Sequence, residues 1–281
     1  MAPARSTVEA LTEATIDDLA AGFHLRPDAI AVRTLLRPVA ARFGHRIAAF
    51  DDRVALAGLA AGARSELPVF VRSLTIQGRE LVPESGPLLV AANHPGVADA
   101  LALQLVLEAR PEVKVVALDR PFLRALPAVA SRLIWVDPQH PTATLRPARD
   151  HLRDGGALLS FPAGGIEPDP VVAPGAVDSL RRWSRSADVL ARQVPGLLLL
   201  PVAVGGVLSA RALRTWFVRR ARTRADREWT AATLQVMLHR YHDTDVRVLV
   251  GEPFTPGPRP TAELVARVAP LLRSLTRGTP R

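Results

Sequence analysis

His94 and Asp99 are the residues best suited to chemistry, because an imidazole held by a carboxylate can take the proton from an alcohol. They lie in Ala91-Ala92-Asn93-His94-Pro95-Gly96-Val97-Ala98-Asp99 with four residues between them. Asp99 would hold one ring nitrogen and fix the tautomer, leaving the other to act as general base, a role worth ~10²–10⁴ in rate. No Ser or Cys nucleophile accompanies the pair. The same spacing also suits a helix cap at Asn93 or Asp99 beside an ordinary turn histidine.

The pair needs a sharp corner to meet. Pro87-Leu88-Leu89-Val90 reads as a short buried strand, and apolar residues recur at helical spacing from Ala98 to Glu108. Pro95 ends the strand and suits a first helical turn, while Gly96 leaves the backbone room to bend, so Asp99 can fold back onto the imidazole. Catalytic groups of open α/β sheets collect at such corners.

Around that corner strands and helices alternate. Three helices are expected first, over Val8–Ala21, Pro27–Phe43 and Asp52–Ala63. Strands follow near 71–77, 88–92, 114–118, 133–136, 157–160, 197–204 and 245–251, with helices over 98–108, 142–154, 175–193, 210–222, 224–242 and 261–276. This order predicts an α/β fold, a mainly parallel or mixed sheet flanked by helices, with an N-terminal helical appendage. Residues 1–65 form that helical segment and 66–281 the sheet-bearing domain.

Composition bounds the rest. A chain of 281 residues, 48% hydrophobic, can bury roughly 70–75% of its unfolded surface, enough for one large domain or one domain with an appendage. With no cysteine, disulfides and thiolate metal sites are excluded. No basic segment followed by an apolar run opens the chain, and no apolar run approaches the ~20 residues needed to cross a bilayer, so the expectation is a soluble or surface-bound intracellular protein.

The net charge of +9 is almost all arginine, since Lys114 is the only lysine. Arg211, Arg214, Arg219, Arg220, Arg222, Arg224 and Arg227 crowd around Trp216, Phe217 and Val218, a pattern read as a basic helix with an aromatic and apolar face. Such a helix suits an anionic membrane surface, and also a simply solvated face. Arg33, Arg37, Arg42 and Arg46 among Leu35, Leu36, Val39 and Phe43 suit either a membrane-facing appendage or packing on the core. Aromatics are 5% of the chain and no nucleic-acid motif accompanies the patches, which argues against nucleic acid as a partner. His239 and His242 with Asp243 and Asp245 have ligand chemistry, but His-x-x-His at a helix end is more often surface histidine, and no metal is expected.

A second constellation follows the strand Ala157-Leu158-Leu159-Ser160: Phe161-Pro162-Ala163-Gly164-Gly165-Ile166-Glu167-Pro168-Asp169. Consecutive glycine amides can bind an anion or admit a substrate to the main chain, and a plain turn has the same composition.

In order and separation these stretches resemble the glycerolipid (lysophospholipid) acyltransferase superfamily. Asn93, His94 and Asp99 match its Asn-His-x-x-x-x-Asp block. Trp135-Val136-Asp137-Pro138 partly matches the second block, Phe161 to Glu167 looks like the third, Phe-Pro-Glu-Gly-Thr-Arg-Ser, and Leu200-Pro201-Val202-Ala203-Val204 looks like the fourth. Coverage runs from about Ser73 to Phe254. The resemblance implies acyl transfer from acyl-CoA or acyl carrier protein to a hydroxyl of a lysophospholipid or related lipid, without a cofactor. It makes His94 and Asp99 catalytic and Asn93, Gly96, Phe161, Pro162, Gly164, Gly165 and Glu167 substrate-binding. Main-chain amides near Gly96 or Gly164 are the candidates for holding the oxyanion. A lipid acceptor, an acyl thioester donor and an anionic membrane are the expected partners, and the inner face of the cell membrane is the expected place.

The departures concern the acceptor. The family's second- and third-block arginines are associated with the acceptor's phosphate, and Pro138 and Ile166 stand there instead; neither can make a bidentate phosphate contact. Ala163 replaces the third-block glutamate, with Glu167 one turn further on. Arg120, Arg124, Arg132 and Arg181 are the alternative sources of a phosphate contact. The alternatives are an acyltransferase for a non-phosphorylated acceptor and a non-catalytic lipid-binding protein of the same fold.

Overall fold

The computed structural model describes residues 5–96, 98–221 and 223–277. Val97, Arg222, most of the two tails and the Phe217 side chain, all named above, lie outside the described residues.

Seven strands form one mixed sheet: β1 (Ser73–Gln77), β2 (Leu88–Ala92), β3 (Val113–Leu118), β4 (Leu133–Val136), β5 (Ala157–Ser160), β6 (Leu198–Gly205) and β7 (Asp245–Val250). Their order across the sheet is β1-β7-β6-β2-β5-β3-β4. All pairs are parallel except β6 with β7. The carboxyl ends of β2, β3, β4, β5 and β6 therefore share one edge, and β1 and β7 run the other way.

β2 lies between β5 and β6, in register Ala91↔Ser160 and Ala91↔Pro201. It is buried along its whole length, which is why it reads as an unbroken apolar run instead of an alternating one. Leu88, Val90 and Ala92 pack toward α3 (Ala98–Val106), against Ala98, Ala102 and Leu103. Leu89 and Ala91 face the other layer. That layer contains α6 (Leu145–Arg153), α7 (Ala176–Ser179), α8 (Ser186–Gln193) and the last helix, Pro260–Arg277.

Two N-terminal helices, α1 (Arg5–Gly22) and α2 (Ile30–Glu66), cover one side. The break expected between Phe43 and Asp52 does not occur; α2 continues and leaves helical geometry only at Gly58, φ 84°. Gly44, just past the expected end at Phe43, is a crossing point: a Cβ there would lie 3.0 Å from Thr12 Oγ1 and 3.2 Å from the Val8 carbonyl on α1. Arg33 and Arg37 pair with Glu9, Glu13 and Asp17 of α1. α2 also buries Ile47, Phe50 and Val54 against Leu126 and Val129. Its Asp51 accepts from the amides of Ala128 (3.2 Å) and Val129 (2.8 Å), capping the short helix α5 (Pro127–Ala130) that follows α4 (Pro121–Arg124).

Three expected helices are broken. The one expected over 224–242 stops at Met237, with Leu238 extended before a 3₁₀ turn at His239–Tyr241. Residues 175–193 divide into α7, a 3₁₀ turn at Leu180–Arg182 and α8, because Ser179 and Trp183 turn inward to a buried carboxylate described below. Among the described residues of the segment expected as a helix over 210–222 there are two single turns, α9 (Ala210–Leu213) and α10 (Trp216–Arg219). Thr215 hydrogen-bonds back to the Ala212 carbonyl through both its amide (3.1 Å) and its hydroxyl (2.7 Å). Val218 is then buried with Ala231 and Leu234 of α11 (Arg224–Met237). One continuous basic amphipathic helix is therefore not what this segment forms.

Candidate active site

His94 follows β2 at the shared carboxyl edge, and Asp99 occupies the first turn of α3, where the helix dipole favours a carboxylate. His94 Nδ1 lies 2.8 Å from Asp99 Oδ2. That oxygen also accepts from the Gly96 amide at 3.0 Å, and Oδ1 accepts from the Ala100 amide at 2.6 Å. The turn Pro95-Gly96 thus folds Asp99 back onto the imidazole as its composition suggests. Gly96 also lies close to the loop after β6: a Cβ there would lie 3.1 Å from Val207 Cγ1.

The Asp99 side chain is wholly buried, whereas that of His94 keeps 26% of its exposure. Among the described residues His94 Nε2 has no hydrogen-bond partner, and the Phe161 ring stacks on the imidazole with centroids 4.4 Å apart at 28°. Burial opposes a charge on His94, but the carboxylate of Asp99, with a further contribution from Glu167, outweighs it and holds the pKa above the ordinary histidine value. His140 and Asp137, just beyond β4, make a similar 2.9 Å pair, but both side chains are more than half exposed, so solvent weakens that coupling.

The other sequence candidates divide. Glu167 comes to the dyad: its amide donates to the His94 carbonyl at 2.8 Å and its Oε2 accepts from the His94 amide at 3.1 Å. Asn93 turns away. It is buried and pairs with the main chain of Val204, donating to the carbonyl and accepting from the amide, both at 2.8 Å, so it ties the end of β2 to β6. Pro162 accepts from the Ser184 amide at 2.8 Å. Gly164, φ 67°, and Gly165 form the exposed tip of the same turn, with open space where a Cβ would stand.

Of the amides near Gly96 and Gly164, the candidates for holding the oxyanion, those of the two glycines themselves are already engaged. Gly96 N–H donates to Asp99 and Gly164 N–H to the Phe161 carbonyl (3.0 Å). The alternative arginines also separate. Arg124 forms a two-pronged pair with Asp119 (2.8 and 2.7 Å) and lies over the Trp135 ring. Arg132 precedes β4 and so lies at the sheet edge opposite His94, 3.9 Å from Glu112. Arg120 follows β3 on His94's edge, 5.7 Å from the Trp229 ring centre.

Asp169 follows Glu167 and Pro168 in the same segment. It is buried and accepts from four amides, those of Val171 (2.9 Å), Gly206 (2.9 Å), Val207 (2.7 Å) and Leu208 (2.9 Å). It therefore fixes the loop after β6, which lines a narrow apolar crevice with Phe70, Gly96 and Ala98 on one side and α11 on the other. The only sequence signal was a carboxylate between two prolines, Pro168 and Pro170.

Histidine and aspartate side chains of the C-terminal half contact other parts of the protein. His242 Nε2 is 2.6 Å from the Gln235 carbonyl, Asp243 accepts from Ser209, and Asp245 holds Arg72 and Ser73. Among the described residues no group of three or more His, Asp or Glu is arranged around a metal position.

No curated protein matches the chain. Among solved structures it is similar to the crystal structure of the 1-acyl-sn-glycerophosphate (LPA) acyltransferase, PlsC, from Thermotoga maritima. The two share 17% identity over 85% of each chain, with a TM-score of 0.49. Residues 73–205 match the acyltransferase family. That stretch runs from β1 to the end of β6 and includes the His94–Asp99 pair and the Phe161 turn.

Proposed function

We propose that the protein transfers an acyl group from a thioester, acyl-CoA or acyl carrier protein, to a hydroxyl of a lysophospholipid or related lipid. The observation that supports this most is the buried Asp99 held on Nδ1 of a part-exposed His94, whose Nε2 has no partner among the described residues. In this reading His94 takes the hydroxyl proton as the oxygen attacks the thioester carbonyl. Asp99 keeps the tautomer and stabilises the imidazolium, and the proton then leaves with the thiol. No acyl-enzyme is required, in keeping with the missing Ser or Cys nucleophile.

A second reading concerns the acceptor. Pro138 and Ile166 stand where the superfamily places phosphate-binding arginines, and Arg124 is committed to Asp119. These features favour an acceptor without a phosphomonoester, and Arg120 is the arginine that would serve if a phosphate is present. Membrane association, at the inner face of the cell membrane, belongs to the same proposal. It is supported by Ile30 and Leu35, 83% and 75% exposed on α2, with the exposed Arg42 further along the same helix. Among the described residues no helix is long and apolar enough to cross a membrane.

Incubating the purified protein with radiolabelled acyl-CoA or acyl carrier protein and a panel of lysolipids and plain alcohols tests both readings. Labelled ester is expected with at least one lipid hydroxyl. Strong activity on lysophosphatidic acid would overturn the preference for a non-phosphorylated acceptor, and no product with any pair would contradict the enzyme reading.

A further inference from the structure

Glu167 holds both main-chain polar groups of His94, the carbonyl through its own amide and the amide through Oε2. Its other oxygen, Oε1, accepts from Ser179 Oγ at 2.8 Å and Trp183 Nε1 at 3.1 Å. Two neighbours of the carboxyl group, the His94 amide and Trp183 Nε1, can only donate, one to each oxygen, while Ser179 Oγ shares its single proton between Oε1 and the Ala176 carbonyl at 2.7 Å; an ionised carboxylate satisfies this set. A glutamine would have to turn its NH₂ toward at least one of them. Burial pushes the Glu167 pKa up, with these donors opposing.

Burying a carboxylate carries a desolvation cost that a loop anchored by apolar side chains would avoid. The charge has a use if positive charge forms nearby, and the imidazolium created when His94 accepts a proton is such a charge. The resemblance places the third-block glutamate at Ala163, at the open end of the turn. Here the carboxylate is at 167 and reaches inward.

We propose that Glu167 is a positioning residue for His94. It sets the main chain from which the imidazole reaches Asp99 and supplies a second negative charge behind the imidazolium, while Ser179 and Trp183 hold it in that pose. The proposal rests on the reading of His94 as the base.

The test is Glu167→Gln in the full chain, with kcat, KM for acyl-CoA, the pH profile and the nitrogen NMR signals of His94, the latter assigned by their loss in His94→Ala. The expected result is a kcat lowered roughly 10–10²-fold, the effect of one lost hydrogen bond to a charged group. KM should change little, and the His94 pKa and the acid limb of the profile should move to lower pH. A folded Glu167→Gln protein with native kcat and an unmoved His94 titration would overturn the proposal and leave Glu167 as a loop anchor only. If that variant does not fold, Ser179→Ala and Trp183→Phe replace it. Each is expected to lower kcat about threefold or more, and native kcat in both would overturn the proposal. Near-native turnover of His94→Ala would instead contradict the base reading, and the NMR titration would still report the Glu167–His94 coupling.

Discussion

At the scale of single residues, the chemistry depends on one imidazole whose two nitrogens have different surroundings. Because burial is outweighed by the carboxylates, the His94 pKa lies above the ordinary value, and a base works only when neutral. Activity is therefore expected to rise with pH through that raised value. Asp99→Asn removes the carboxylate that raises it, so the acid limb of kcat/KM should shift to lower pH while the maximum falls roughly 10²–10⁴-fold. A pH–rate profile of the variant checks both, and an unmoved limb would count against the coupling. His94 and Asp99 were legible because their partnership is local, five residues across a Pro-Gly turn. The environment of Glu167 was not, since its partners His94, Ser179 and Trp183 come from separate segments and no local spacing signals them.

At the scale of elements, two buried side chains hold the loops that frame the site. Asn93→Ala would leave the Val204 amide and carbonyl unpaired inside the sheet, at about 2–4 kcal/mol. Asp169→Asn would turn an NH₂ toward a cluster of four amide donors at a comparable cost. Each is expected to lower the melting temperature by roughly 5–15 °C, which thermal unfolding followed by circular dichroism would show; a change below a degree would mean the loops are held by other contacts. The strands were legible because buried parallel strands are short unbroken apolar runs, and β2, β4 and β5 appear at the expected residues. The helices were less so. The helix expected to end at Phe43 runs on through Gly44, where it crosses α1, and the 175–193 and 210–221 segments break where Ser179 and Trp183 turn inward and where Thr215 bonds back to the Ala212 carbonyl, events that helical periodicity does not register.

For the whole molecule, the sheet gathers the sequence blocks at one edge, and arginine-rich segments lie outside it. Arg211 is 3.7 Å from Asp243 and Arg220 lies over the Trp216 ring, so the 210–220 segment is a folded basic surface without a continuous helix. Charge reversal at Arg214, Arg219 and Arg220 is expected to weaken flotation with anionic vesicles, by about 1 kcal/mol per arginine at the surface, and the loss should shrink in high salt. Transfer to soluble short-chain substrates should be nearly unchanged. Flotation indifferent to both charge and salt would assign the patch to solvent. The measurement that bears most directly on the account is acyl transfer by His94→Ala. The substitution removes a part-exposed ring and little of the core, so the protein should fold as before and turn over roughly 10²–10⁴-fold more slowly with any productive donor and acceptor. A folded His94→Ala protein with near-native turnover would contradict it.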